Sequence, residues 1–168
     1  MPTQPTTFFV NAYKDPVIVR IKGRADYMNS QPLSDFFTQM LGGGKHRFVV
    51  DFQDCTTVDS TFLGILASAA IEVEESSSEH CLVITRLGDR HWELVHNLGL
   101  DHILTVDRNG NKAPDEKDLE HCSEVQTGTT CSQDTILKAH EALVEADEEN
   151  FSKFQDVIAF LKNQVDDT

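Results

Sequence analysis

The chain has 168 residues, 39% of them hydrophobic, enough for one domain with a sizeable core and too apolar for a disordered chain. Its formal net charge of −14 is uneven: residues 1–106 carry 13 acids and 8 bases, and residues 107–168 carry 15 acids and 6 bases. That acidity excludes a nucleic-acid grip, which needs a basic patch, and disfavours anionic membrane surfaces.

Residues 1–7 lack the basic region and apolar core of a secretory signal and read as a short flexible lead. Residues 8–13 alternate loosely and suggest an edge strand, followed by turn chemistry at Lys14-Asp15-Pro16. Residues 17–21, Val-Ile-Val-Arg-Ile, predict a strand that Gly23 ends. Leu33, Phe36, Phe37, Met40 and Leu41 share one face of an amphipathic helix, which Gly42-Gly43-Gly44 stops. Residues 48–52 form an apolar run too short for a helix and read as a buried strand. Residues 53–57 read as a polar loop. A second helix carries Phe62, Leu66, Ala69 and Val73 and fades in the polar run 72–78. Residues 81–84 are a further strand, residues 89–98 a third helix, and residues 103–106 a last strand. Strands alternating with helices imply an α/β layer.

Residues 109–131 are polar and read as a linker. Two helices follow. Ile136, Leu137, His140, Leu143 and Val144 line one, and Phe151, Phe154, Val157, Ile158 and Leu161 line the other. Residues 146–150 break them into a helical hairpin. The division expected is a domain at 1–108, a linker at 109–131 and a helical extension at 132–168. The first is expected to fold alone, with the hairpin docked on or beside it. The hairpin's apolar stripes require burial, against that domain or against a partner or second copy. The oligomeric state expected is a monomer or weak dimer.

No run approaches the roughly twenty apolar residues of a membrane span, so no membrane insertion is expected. The four cysteines, Cys55, Cys81, Cys122 and Cys131, form no Cys-x-x-Cys pair and suit reduced thiols in a cytoplasmic protein. His121, Cys122, Cys131 and His140 match no common zinc spacing, so no metal is expected.

The stretch from 47 to 66 organises the rest. A strand feeds a loop, and Asp59-Ser60-Thr61 offers three capping residues at the mouth of the second helix. The first N–H groups of a helix lack internal partners, and its dipole is positive there. A hydroxyl at that point is either a plain cap or an exposed acceptor on which a phosphate is tolerated.

Asp59-Ser60-Thr61-Phe62-Leu63-Gly64 resembles the Asp-Ser-Ser/Thr-Gly-Leu-Gly signature of STAS domains, found in bacterial anti-sigma factor antagonists. Val50-Asp51-Phe52 before it, Gly23-Arg24-Ala25-Asp26, and Asn97-Leu98-Gly99-Leu100 with Ile103 resemble the family's other landmarks in order. Phe62 departs from the family's usual glycine and changes the surface expected beside Ser60. The resemblance implies a STAS-like mixed sheet of four to five strands with helices packed on it, here with a C-terminal helical hairpin. It implies a binding protein that holds an anti-sigma factor, itself a serine kinase, and so regulates transcription. The kinase would phosphorylate Ser60 (alternatively Thr61), and a phosphatase would restore it. Asp26, Asp59, Ser60, Thr61, Phe62 and Leu63 would form the partner surface. No cofactor or ATP site of its own is expected.

Two other functions compete. One is a STAS-type scaffold or accessory subunit that binds a transporter ATPase without phosphorylation. The other is an enzyme with Ser60 as nucleophile. For that, nothing like Gly-x-Ser-x-Gly surrounds Ser60 and the sequence places no histidine near it, so no enzyme activity is expected.

Overall fold

The computed structural model describes residues 7–76, 81–125 and 129–166. Most of the expected lead and the end of the polar run after the second helix lie outside the described residues. Strand β1 (Phe8–Asn11) turns into β2 (Val17–Ala25), and helix α1 (Gln31–Gly42) crosses to β3 (Arg47–Val58). Helix α2 (Ser60–Ser76) leads to β4 (Cys81–Thr85), and α3 (Asp89–Asn97) leads through a 3-10 turn to β5 (Thr105–Asp107). Then come α4 (Glu116–Glu120), β6 (Ser123–Val125), α5 (Gln133–Ala146) and α6 (Asn150–Asp166).

The sheet order is β5-β4-β3-β2-β1-β6. Strands β2 to β5 pair in parallel, and β1 runs antiparallel to both β2 and β6. Among the described residues six strands stand where four to five were expected. The additional one comes from the polar stretch 109–131: Ser123, Glu124 and Val125 pair with Val10, Phe9 and Phe8. Three residues with no apolar rhythm gain a place in the sheet by satisfying the open backbone edge of β1. A Lys14–Asp118 ion pair ties α4 alongside.

The expected loop at 53–57 is also strand. Residues Asp54 to Val58 pair with Lys22 to Ala25 across two register shifts. The backbone partner supplied by β2 outweighs the polar side chains, which project beyond the apolar part of the sheet.

Alternation decides the core. Val17, Val19, Ile21, Phe48, Val50, Phe52, Leu82 and Ile84 all join one cluster with Leu33, Phe37, Leu63, Leu66 and Val73 of the helices. The intervening positions face the other way and end in polar pairing: Asp51 is fully buried, bridged by Arg86 and accepting a bond from the Gln53 N–H. Arg86 holds that bridge from a left-handed backbone, φ 58°.

The C-terminal hairpin belongs to this same core, which takes in Cys131, Ala139, Ala142 and Leu143. The core therefore draws on residues from both sides of residue 108. Helix α5 lies against α2, and their backbones nearly touch: a Cβ on Gly64 would stand 2.3 Å from the Ala139 carbonyl oxygen. The Cys131 N–H donates to the Tyr27 carbonyl at 2.7 Å, and Asn150 Nδ2 donates to the Leu98 and Leu143 carbonyls. Leu137, Ile158 and Leu161 join α5 to α6. Among the described residues no helix is long and apolar enough to cross a membrane.

Candidate functional site

The signature sits where β3 ends and α2 begins. Asp59, not Ser60, is the cap. Its Oδ1 accepts from the Phe62 N–H at 2.9 Å, and its carbonyl accepts from the Leu63 N–H. Its other oxygen accepts from the Tyr27 N–H at 2.9 Å, so one carboxylate fastens both the helix and the β2–α1 loop. Three adjacent capping residues compete at the sequence level. The choice falls on Asp59 because its carboxylate alone serves two backbone donors. Asp26 shapes that loop, accepting from the Met28 N–H and pairing with Arg24.

Ser60 is left at the first helical position, half-buried, with its hydroxyl free of capping duty. It is engaged elsewhere. Ser60 Oγ lies 2.9 Å from His140 Nε2 on α5. His140 Nδ1 lies 2.8 Å from the Ile136 carbonyl oxygen. A carbonyl only accepts, so Nδ1 carries the hydrogen, and in the neutral ring Nε2 accepts the Ser60 proton. His140 is 4% exposed and packs edge-on against Phe154 of α6. The fold thus brings to Ser60 a histidine that the sequence alone did not place there. The two are 80 positions apart in sequence. The available signal was a histidine inside the apolar stripe of the first hairpin helix, since a buried imidazole needs a polar partner.

The remaining predicted site residues divide. Thr61 is buried, which leaves Ser60 the more open hydroxyl. Phe62 and Leu63 are fully or almost fully buried and offer no surface to a partner in this conformation. Phe62 does not cover Ser60: its ring stacks on Phe8 with centroids 6.2 Å apart and meets Phe52 edge-on at 6.1 Å. Helical geometry turns the third position inward, so the bulky residue adds to the core and leaves the surface unchanged.

A serine hydroxyl hydrogen-bonded to an oriented imidazole is half of a nucleophile–base pair. Here the imidazole is oriented by a neutral carbonyl in place of a carboxylate.

The protein family described as "Mlab, STAS domain" matches residues 8–105. The chain belongs to the STAS-domain family. The chain is similar to a crystal structure of a Thermotoga maritima protein proposed to be an anti-sigma factor antagonist, at 14% identity and a TM-score of 0.53, covering 68% of this chain and 95% of that one. At that identity the likeness is one of fold. No curated protein matches the sequence. The match ends at residue 105, so β6 and the α5–α6 hairpin that supplies His140 lie beyond the part shared with the family.

Proposed function

We propose that this STAS domain is an anti-sigma factor antagonist whose binding is switched by phosphorylation of Ser60. The observation that carries the reading is the division of labour at α2. Asp59 caps the helix and leaves the Ser60 hydroxyl at its positive end with no structural duty to the helix backbone. A phosphate there is held by the helix terminus, while at an interface its charge of about −1.5 to −2 needs a partner cation. Asp59 beside it is no such cation. Burying that charge unpaired costs several kcal/mol, which weakens binding by on the order of a hundred- to a thousandfold. The partner is an anti-sigma factor with serine-kinase activity, and a phosphatase reverses the mark. The protein acts by binding in the cytoplasm and turns over no substrate.

The test is incubation of the full chain with a purified partner kinase and labelled ATP, with phosphopeptide mapping and a binding titration. The expected result is label on Ser60, loss of partner binding by the labelled protein, and retained binding by unlabelled Ser60→Ala. Label elsewhere, or equal binding by labelled and unlabelled protein, would overturn it. A second reading, an accessory subunit of a transporter ATPase that binds unmodified, is favoured by the hydroxyl's existing bond to His140. Recovery of such an ATPase with equal yield by wild type and Ser60→Ala would select it.

A further inference from the structure

The geometry points to the α5–α6 hairpin as a built-in cover over Ser60, latched by His140, so that the modifying enzyme acts only on the fraction of molecules in which the hairpin has lifted. This rests on the reading of Ser60 as the modified residue.

Three contacts make the latch. Ser60 Oγ is hydrogen-bonded to His140 Nε2 at 2.9 Å, and the imidazole is itself fixed by the Ile136 carbonyl. The backbones of α2 and α5 meet one turn further on, where Gly64 leaves no room for even a methyl group beside Ala139. The start of the hairpin is tied down by the Cys131 N–H on the Tyr27 carbonyl and by the Ser132 N–H on Gln31 Oε1. Tyr27 also donates its own N–H to Asp59, so the strap and the cap of α2 share one loop.

Phosphoryl transfer and the Ser60–His140 hydrogen bond exclude one another. In the transfer, the Ser60 O–H bond breaks and its proton passes to a base of the kinase. An Oγ–P bond forms to the γ-phosphorus of ATP, and ADP leaves. The product has no hydroxyl proton, so the Ser60 O–H to Nε2 bond of the closed arrangement is gone. The unmodified chain keeps the hydrogen bond of the closed arrangement, and the modified chain has lost it. A kinase, or any partner reading the Ser60 surface, sees an affinity reduced in proportion to the open fraction.

The cover can be tested without a kinase. In the full chain, Ser60→Cys is alkylated with iodoacetamide and the labelled peptide quantified, which separates the introduced thiol from Cys55, Cys81, Cys122 and Cys131. The same chain in urea gives the uncovered rate. Adding Gly64→Ala wedges α5 away from α2 while favouring the α2 helix itself. Adding Asn150→Ala instead cuts the anchors to Leu98 and Leu143 at the far end of the hairpin. Trp92 fluorescence reports that the domain stays folded. The expected result is slow labelling in the folded Ser60→Cys chain and labelling accelerated about tenfold or more by either added change, the scale of an overpacked core contact. Labelling of the introduced thiol at the urea rate in the folded Ser60→Cys chain overturns the cover. So does an unchanged rate in both variants with native Trp92 emission. With a kinase in hand, equal phosphorylation of wild type and Gly64→Ala refutes the cover while leaving Ser60 as the acceptor. Accelerated alkylation with no kinase acting on Ser60 leaves the cover standing and removes the switch.

Discussion

Phe62→Gly restores the residue that usually stands at this place in the family signature, and its consequence here is structural. The ring is fully buried, stacked on Phe8 and edge-on to Phe52. Removing a buried phenylalanine side chain to Cβ costs about 3–5 kcal/mol, the transfer of the ring and the cavity included. Two aromatic contacts of about 0.5–1.5 kcal/mol each put this site toward the upper part of that range. Glycine in a helix adds up to about 1 kcal/mol. Against a typical domain stability of about 5–15 kcal/mol, the variant is expected to be folded but marginal. Thermal unfolding by circular dichroism should show a midpoint lowered by about 6–24 °C, at about 2–4 °C per kcal/mol for a chain of this size. Urea titration should give the same loss without a change of slope. A loss below about 1 kcal/mol would refute the placement of the ring between Phe8 and Phe52.

Arg86→Ala leaves the buried Asp51 carboxylate, among the described residues, with the Gln53 N–H and is expected to cost about 3 kcal/mol, the low end for a broken buried pair because Arg86 is itself partly open to solvent. The double variant Asp51→Val, Arg86→Gly should recover most of that, since no charge is stranded and glycine suits the left-handed backbone at 86; urea titration of both decides. Burial pushes the Cys131 thiol up to about 11 from its ordinary 9.0, with Asp59 acting in the same direction. Because the folded value is the higher, its stabilisation is complete below pH 9.0 and is lost as pH climbs toward 11. Cys131→Ala should flatten this alkaline part of the stability curve in urea titrations taken from about pH 8 upward, and native Cys131 should resist alkylation at about pH 8.

The parts of the fold that announced themselves are those with a strong rhythm. The parallel strands read as short apolar runs because both faces lose water, and α1, α5 and α6 show stripes that the packing uses. Residues 123–125 carry no such rhythm. Their strand exists only because β1 offers an open edge, which is information held in another part of the chain. The polar end of β3 was concealed in the same way, its partner being the far half of β2. At the site, the sequence located the helix mouth and its run of hydroxyls, but three neighbouring capping residues are indistinguishable until the Tyr27 loop selects Asp59. His140 stood in plain view as a polar interruption of an apolar stripe. Which hydroxyl it answers depends on the docking of α5, and docking is set by Gly64 and Ala139, two small residues that carry no chemical signal.

The Ser60–His140 contact spans 80 positions of chain. During synthesis at about 5–20 residues per second, roughly 4–16 s pass between the making of one partner and the other. For that interval the nascent chain presents Ser60 and the Gly64 face of α2 uncovered, since the segment that will close them does not yet exist. The newborn protein thus passes through a state that the finished one must open again to reach. Whatever meets it on the ribosome, a chaperone or a modifying enzyme, meets the serine without the histidine.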